Sequence, residues 1–409
     1  MGRNKKESTF EPALIFLAGQ VLAIAIVFLT GCSFQGLEVV KPDDGSMSAK
    51  YTPSNLTQAL RSAANLLVMR LPTPTEYDEA SKGLDGYTAV IQRYLTDPRF
   101  ASPQIAGNPD PDIASQGGAL LREHRNYFEM AGVQGTVNFN EPANIATFIV
   151  NNDRPYWETL TGNYCVDDNF VQTTPCSTFP DDATAAANSA GIITTRGFII
   201  RNKSPFNFHI VNMAFQKFLC AQYPDATDTG MPKTTVSDRR KTFTSNSNGG
   251  MDCFFCHRSI NPKAYLFFNY FANAGNDMSG RFTPDGLNSA LNINTTQTDM
   301  GQRALPEDLL CVKDATGNCQ TPSQVSVDVM GKPASSVRDV GKIMAQDPRF
   351  AKCATQHYVN WMFGLTYKTN LAVDMEYLVD VFMGDAATQP FNVKRLLLEI
   401  TKSAKFVNR

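Results

Sequence analysis

Cys253-Phe254-Phe255-Cys256-His257 is the stretch of this chain whose residue types and spacing carry chemistry most directly. C-x-x-C-H is the spacing of a c-type haem attachment site. Two thiols three positions apart can each add to one vinyl group of the porphyrin. The adjacent imidazole then reaches the iron as its proximal ligand. On this reading Cys253 and Cys256 are the covalent anchors, His257 is the iron ligand, and the cofactor is a single haem c. A bare C-x-x-C also suits a redox dithiol, half of a zinc site or a local disulfide. A zinc site needs further ligands, yet the chain has no second C-x-x-C and no H-x-x-x-H. A thioredoxin-like dithiol should follow a strand in a βαβ pattern, which the surrounding sequence does not show.

The iron's other face has several candidates. Met300, in a polar stretch, and Met330, before Gly331-Lys332-Pro333, are the preferred distal ligands. Met278, Met344, Met362, His209 and His357 are further ones. A thioether ligand would raise the potential and a second imidazole would lower it; an open sixth position would permit chemistry on the iron.

The N-terminus points to the compartment where haem c is attached. Arg3, Lys5 and Lys6 precede an apolar run from Ala13 to Leu29, and the run ends in Leu29-Thr30-Gly31-Cys32. That resembles a bacterial lipobox, cleaved before Cys32, whose thiol is then lipidated. An uncleaved membrane anchor is the alternative, although the run is short for spanning a bilayer. Residues 1–31 are thus expected to be a lipoprotein signal peptide. Lipidation with more than one acyl chain gives stable anchoring. Ser33 follows Cys32 in place of an inner-membrane retention Asp. The expected location is the cell envelope, with the outer membrane favoured on its periplasmic or surface face.

Nine cysteines are present. With Cys32, Cys253 and Cys256 assigned, an even number remains, which in an oxidising compartment suggests disulfides. The candidate pairs are Cys165–Cys176, Cys311–Cys319 and the long-range Cys220–Cys353. The formal net charge is −2. No basic stripe or acidic tail suggests nucleic acid as a partner. The expected partners are the membrane, through the N-terminal lipid, and a redox protein whose identity the sequence does not specify.

The elements that must position the motif read as mainly α. The expectation is a multi-helical chain with a cytochrome c-like haem region and long irregular loops. Residues 32–55, broken by Pro42, Gly45 and Pro53, read as a flexible tether. Residues 56–190 read as an N-terminal helical domain and residues 191–409 as the haem-binding domain. Leu56, Leu60, Ala63, Ala64, Leu67 and Val68 recur at helical spacing, with Ser54 or Asn55 as cap. Thr73-Pro74-Thr75-Glu76 opens a second helix, and Val90, Ile91, Tyr94 and Leu95 carry a third. A further helix is predicted from Gly117 to Met130. His124 within it, flanked by Glu123 and Arg125, reads as a solvated surface residue. One helix is predicted between Ala143 and Tyr164, another from Val211 to Cys220, one through His357 and Trp361, and a last one from Val393 to Phe406. Asp97-Pro98-Arg99-Phe100-Ala101 recurs as Asp347-Pro348-Arg349-Phe350-Ala351, and reads as two uses of one helix-starting turn.

Over roughly residues 54–400 the chain resembles the planctomycete-type large cytochrome c proteins. The resemblance rests on ordered blocks. Gly191-Ile192-Ile193-Thr194 precedes Phe218-Leu219-Cys220. The C-x-x-C-H follows, then Asn261-Pro262, the aromatic run Tyr265–Phe271, Gly275 and Gly280-Arg281. Cys353 and Trp361-Met362-Phe363-Gly364 come last. It implies haem and export more than it implies a reaction. Asn261 stands where that family carries an acid, and the His often found upstream of the motif is missing from Arg239–Asp252.

The function expected from these readings is electron transfer by an exported, lipid-anchored monohaem cytochrome, an electron carrier in preference to an enzyme. The alternatives are a haem-dependent periplasmic enzyme with an open sixth iron site, and a non-haem structural surface lipoprotein. No Ser-His-Asp, H-E-x-x-H or paired-carboxylate constellation supports a separate hydrolytic site.

Overall fold

Apolar residues three and four apart generate most of the regular structure. The computed structural model describes residues 51–105, 116–135, 137–173, 189–202, 208–221, 263–264, 266–267, 326–364, 372–384 and 389–408. Cys32, Cys176, Cys253, Cys256, His257, Met300, Cys311 and Cys319 lie outside the described residues.

The described chain is mostly helical. Helix α1 spans Pro53–Val68, and its core stripe from Leu56 to Val68 is fully buried. The helix starts ahead of the expected Ser54 or Asn55 cap. Pro53 suits the first turn, and the Thr52 hydroxyl accepts from the Asn55 amide at 3.2 Å. Helix α2, Pro74–Ala80, begins with a capping box between Thr73 and Glu76. Helix α3 is Leu84–Tyr94, and α4 is the single turn Pro98–Ala101. Helix α5, Ala119–Phe128, carries His124.

Where one helix was expected between Ala143 and Tyr164, the chain forms two, α6 (Glu141–Asn151) and α7 (Glu158–Thr161). Pro155 disfavours helical backbone at Arg154, and Asp153 takes a left-handed φ of 52°. A buried 3₁₀ turn, Gly191–Thr194, leads into α8 (Arg196–Arg201), and α9 is Phe208–Leu219. Helices α10 (Val337–Ala345), α11 (Pro348–Phe363) and α12 (Ala372–Met383) follow. The expected last helix is divided into α13 (Val393–Lys402) and α14 (Ala404–Val407). Ser403 is extended between them and caps the second by accepting from the Phe406 amide at 3.2 Å.

Among the described residues, strands occur only as short antiparallel pairs. These are β1 (Val133–Gln134) with β2 (Val137–Asn138), β3 (Cys165–Val166) with β4 (Gln172–Thr173), and β5 (Val327–Val329) with β6 (Lys332–Ala334).

All described residues belong to the unit Tyr51–Arg409. Its core draws on helices from both ends of the sequence. Helix α1 packs on α3 and α14, α3 on α13, α7 on α10, and α11 on α9, α12 and α13. Ala190, Ile192 and Ile193 flank the expected domain junction at 190/191 and are fully buried in that shared core. Gly341 lets α10 approach α7 closely: a Cβ there would stand 2.2 Å from the Leu160 carbonyl oxygen. Helix α5 lies against α6, and α9 against α11. These four helices frame a buried polar cluster.

Candidate functional site

Two of the chain's four histidines meet inside the core. His124 sits on the buried stripe of α5, with Leu120 and Leu121 one turn before it and Phe128 one turn after. It is 0% exposed, which corrects the expectation of a solvated surface histidine. The charged neighbours Glu123 and Arg125 misled that expectation, whereas the spacing Leu120–His124–Phe128 is the signal that locates the residue. His357 lies on the inner face of α11, in the series Phe350, Cys353, Ala354, His357, Tyr358 and Met362. The two imidazole rings are stacked with centroids 6.4 Å apart.

The bonding of His124 is complete. Its Nδ1 is 2.7 Å from the Thr147 hydroxyl on α6, and its Nε2 is 2.9 Å from the Tyr358 hydroxyl on α11. Thr147 gives its own hydrogen to the Ala143 carbonyl at 2.7 Å. Its oxygen therefore accepts, so hydrogen bonding assigns the ring proton of His124 to Nδ1. Nε2 is left with a lone pair facing Tyr358. The Tyr358 hydroxyl neighbours that of Tyr156 as well. Burial holds His124 well below the usual imidazole range, and His357 nearby adds to the effect. Burial also pushes Tyr358 well above the usual phenol range and Tyr156 up to about 12. The cluster is neutral and hydrogen-bonded from α6 through α5 to α11.

His357 is bonded differently. Its Nε2 is buried with no hydrogen-bond partner among the described residues. The nearest carboxylate oxygen, on Glu123, stands 3.8 Å away. Burial pushes the Glu123 carboxyl up to about 7 and pulls His357 down to about 3, the latter assisted by the Lys217 ammonium. With both groups neutral over most of that window, the pair is no salt bridge. The Tyr127 ring packs on His357 with centroids 3.8 Å apart.

The wall beside His357 is stitched to α9. The Tyr127 hydroxyl donates to the Lys217 carbonyl, and the Lys217 ammonium donates to the Tyr127 carbonyl at 2.6 Å and to Glu129 at 2.8 Å. Cys220, just after α9, is disulfide-bonded to Cys353 on α11 across 133 residues of sequence, with Cα atoms 5.3 Å apart. Closing so long a loop in the unfolded chain is worth about 5 kcal/mol in the chain-entropy account. Cys165 is also disulfide-bonded. Its expected partner Cys176 and the expected pair Cys311–Cys319 fall outside the described residues.

The residues expected to hold haem lie mostly outside the described chain. Cys253, Cys256, His257 and Met300 are among those. The nearest described positions after the motif are Lys263, Ala264, Leu266 and Phe267, all buried in the core. Met330 is described and occupies the β5–β6 turn with a φ of 53°. Its sulfur is engaged, accepting from the Arg349 guanidinium at 2.8 Å. That contact gives Met330 a structural partner other than a metal. As a donor set, two cysteine thiols and one imidazole suit covalent haem. The unpartnered Nε2 of His357 is the one orphaned imidazole nitrogen among the described residues. No group of three or more His, Cys, Asp or Glu able to hold a metal ion occurs among the described residues. None of the described helices is long and apolar enough to cross a membrane.

No protein-family model, no curated protein and no solved structure matches this chain.

Proposed function

We propose that this chain is an exported, lipid-anchored monohaem cytochrome c that transfers single electrons in the cell envelope. The observation that carries the reading is the C-x-x-C-H at Cys253–His257 in a chain that opens with a lipobox ending at Cys32. The two signals are independent in sequence and agree on one compartment. The disulfide between Cys220 and Cys353 fits the same oxidising setting.

In this reading Cys253 and Cys256 hold the porphyrin covalently and His257 ligates the iron. Bound haem supplies a one-electron couple. The protein excludes water from the cofactor, tunes its potential and presents an edge to a partner. Met300 stays the preferred distal ligand, because the sulfur of Met330 already serves Arg349. The proposed location is the outer membrane, with the lipid on Cys32 as anchor. Haem staining of the membrane fraction after denaturing electrophoresis tests the reading. Covalent haem on the wild-type chain that is absent from a Cys253→Ser/Cys256→Ser variant supports it. Globomycin treatment, or Cys32→Ala, should block cleavage before Cys32 and leave a larger, unlipidated or unprocessed precursor that keeps its apolar leader.

A further inference from the structure

Tyr358 and His124 are both fully buried, and the phenol of one is 2.9 Å from Nε2 of the other. The direction of that hydrogen bond is fixed by its surroundings. Thr147 spends its hydrogen on the Ala143 carbonyl, so His124 must donate from Nδ1 and can only accept at Nε2. Tyr358 is thereby left donating its phenolic hydrogen to a neutral imidazole. Burial keeps the phenol protonated at any ordinary pH. The arrangement is what a tyrosine needs to lose an electron without releasing a proton to water.

We propose that Tyr358 and His124 form a buried redox pair in which electron loss from the phenol is coupled to proton transfer onto the imidazole. A high-potential one-electron acceptor, an oxidised metal complex or metalloprotein, takes one electron from Tyr358 and is reduced by one. The phenolic O–H bond breaks and an N–H bond forms at Nε2 of His124. The products are a neutral phenoxyl radical and an imidazolium that keeps the hydrogen bond. Return of the electron restores both partners, so no atom leaves the site. An oxidised phenol is a far stronger acid than a phenol, so an imidazole weakened by burial still takes the proton.

Two aromatic neighbours give the electron a route. Trp361, one turn along α11 and only half-buried, has its ring centroid 6.5 Å from that of Tyr358. Tyr156 lies 5.8 Å away on the inner side. Trp361 thus offers a stepping point between a docked acceptor and the buried phenol. The groups facing the pair are Thr147 from α6, Glu123 and Tyr127 from α5, His357 from α11, and Tyr156 from the turn before α7. The pair uses no residue of the haem motif, so it stands or falls independently of the proposed cofactor.

The test is photo-oxidation of the full-length protein with a ruthenium tris-bipyridine complex and a sacrificial quencher, followed by freezing and electron paramagnetic resonance. The expected result is a long-lived tyrosyl radical. Its spectrum should show coupling to one exchangeable proton, held by His124, that disappears in deuterated buffer. Tyr358→Phe should lower the yield of this signal roughly tenfold or more, and Tyr156→Phe should leave it in place. His124→Gln should shorten its lifetime. No long-lived radical, a radical without the exchangeable coupling, or a signal unchanged in Tyr358→Phe would overturn the proposal. The exchange readout needs only the wild-type protein, so absence of the coupling overturns the proposal even if a variant fails to fold.

Discussion

His124 and His357 are both buried, with ring centroids 6.4 Å apart, yet the protein treats them in opposite ways. His124 has both nitrogens bonded, and three helices depend on it for hydrogen-bond partners. His357 has an Nε2 with no hydrogen-bond partner among the described residues, facing at 3.8 Å a carboxyl that burial keeps largely protonated below about pH 7. The first is a keystone of neutral hydrogen bonds. The second contributes ring packing against Tyr127, with one nitrogen lacking a hydrogen bond among the described residues. Burial alone therefore says little about what a histidine contributes; the partners of its two nitrogens decide.

The contrast gives its largest effect at His124. His124→Leu removes two buried hydrogen bonds and leaves the Tyr358 and Thr147 hydroxyls short of a partner, at a cost of about 3 kcal/mol. Chemical denaturation should show the loss in the midpoint; an unchanged midpoint would erase the distinction between the two residues.

Glu123 comes next, through pH. Its folded value, about 7, lies above the unfolded value of 4.5. Its favourable contribution is complete below about pH 4.5 and is lost as pH rises through 7. Glu123→Gln should cancel that loss. Between about pH 5 and about pH 8.5 the wild type should lose roughly 2–3 kcal/mol that the variant keeps. His357 runs the other way, because its folded value of about 3 lies below 6.5. Its contribution is complete above 6.5 and disappears as pH falls toward 3. Stability profiles of the wild type and Glu123→Gln over this range separate the two groups.

The smallest effect is expected at His357. His357→Leu trades a polar ring whose Nε2 lacks a partner among the described residues for an apolar side chain of similar volume, and should change stability by no more than about 1 kcal/mol. A loss as large as that of His124→Leu would mean that Nε2 has a partner after all, and would collapse the comparison.

The sequence was most legible where local chemistry and periodicity agree. The two Asp-Pro-Arg-Phe-Ala copies illustrate both its reach and its limit. In each the Asp carboxylate accepts from the Arg amide, at 2.8 Å for Asp97 and 2.9 Å for Asp347. Each Pro opens a helix, and each Phe is buried. The first copy makes a single turn and the second a long helix. Ser102 precedes Pro103, which disfavours helical backbone, whereas after exposed Lys352 the buried Cys353 and Ala354 continue the inward stripe of α11. The pentapeptide specifies the start of the helix, and the residues C-terminal to it specify the length. The breaks at Pro155 and Ser403 depend on the same kind of downstream detail. His124 was hidden for another reason: its charged sequence neighbours point outward while its own face turns in, and only the helical period separates the two. The partner of its Nε2 comes from a residue 234 positions away, which no local pattern reveals.

The haem reading rests on five residues and a leader, and one measurement addresses it directly. Pyridine-haemochrome analysis of the purified wild-type chain and of Cys253→Ser/Cys256→Ser should be done after acid-acetone extraction of free haem. The expected result is one covalent haem c per wild-type chain and none in the double variant. A wild-type chain that carries no covalent haem would contradict the reading.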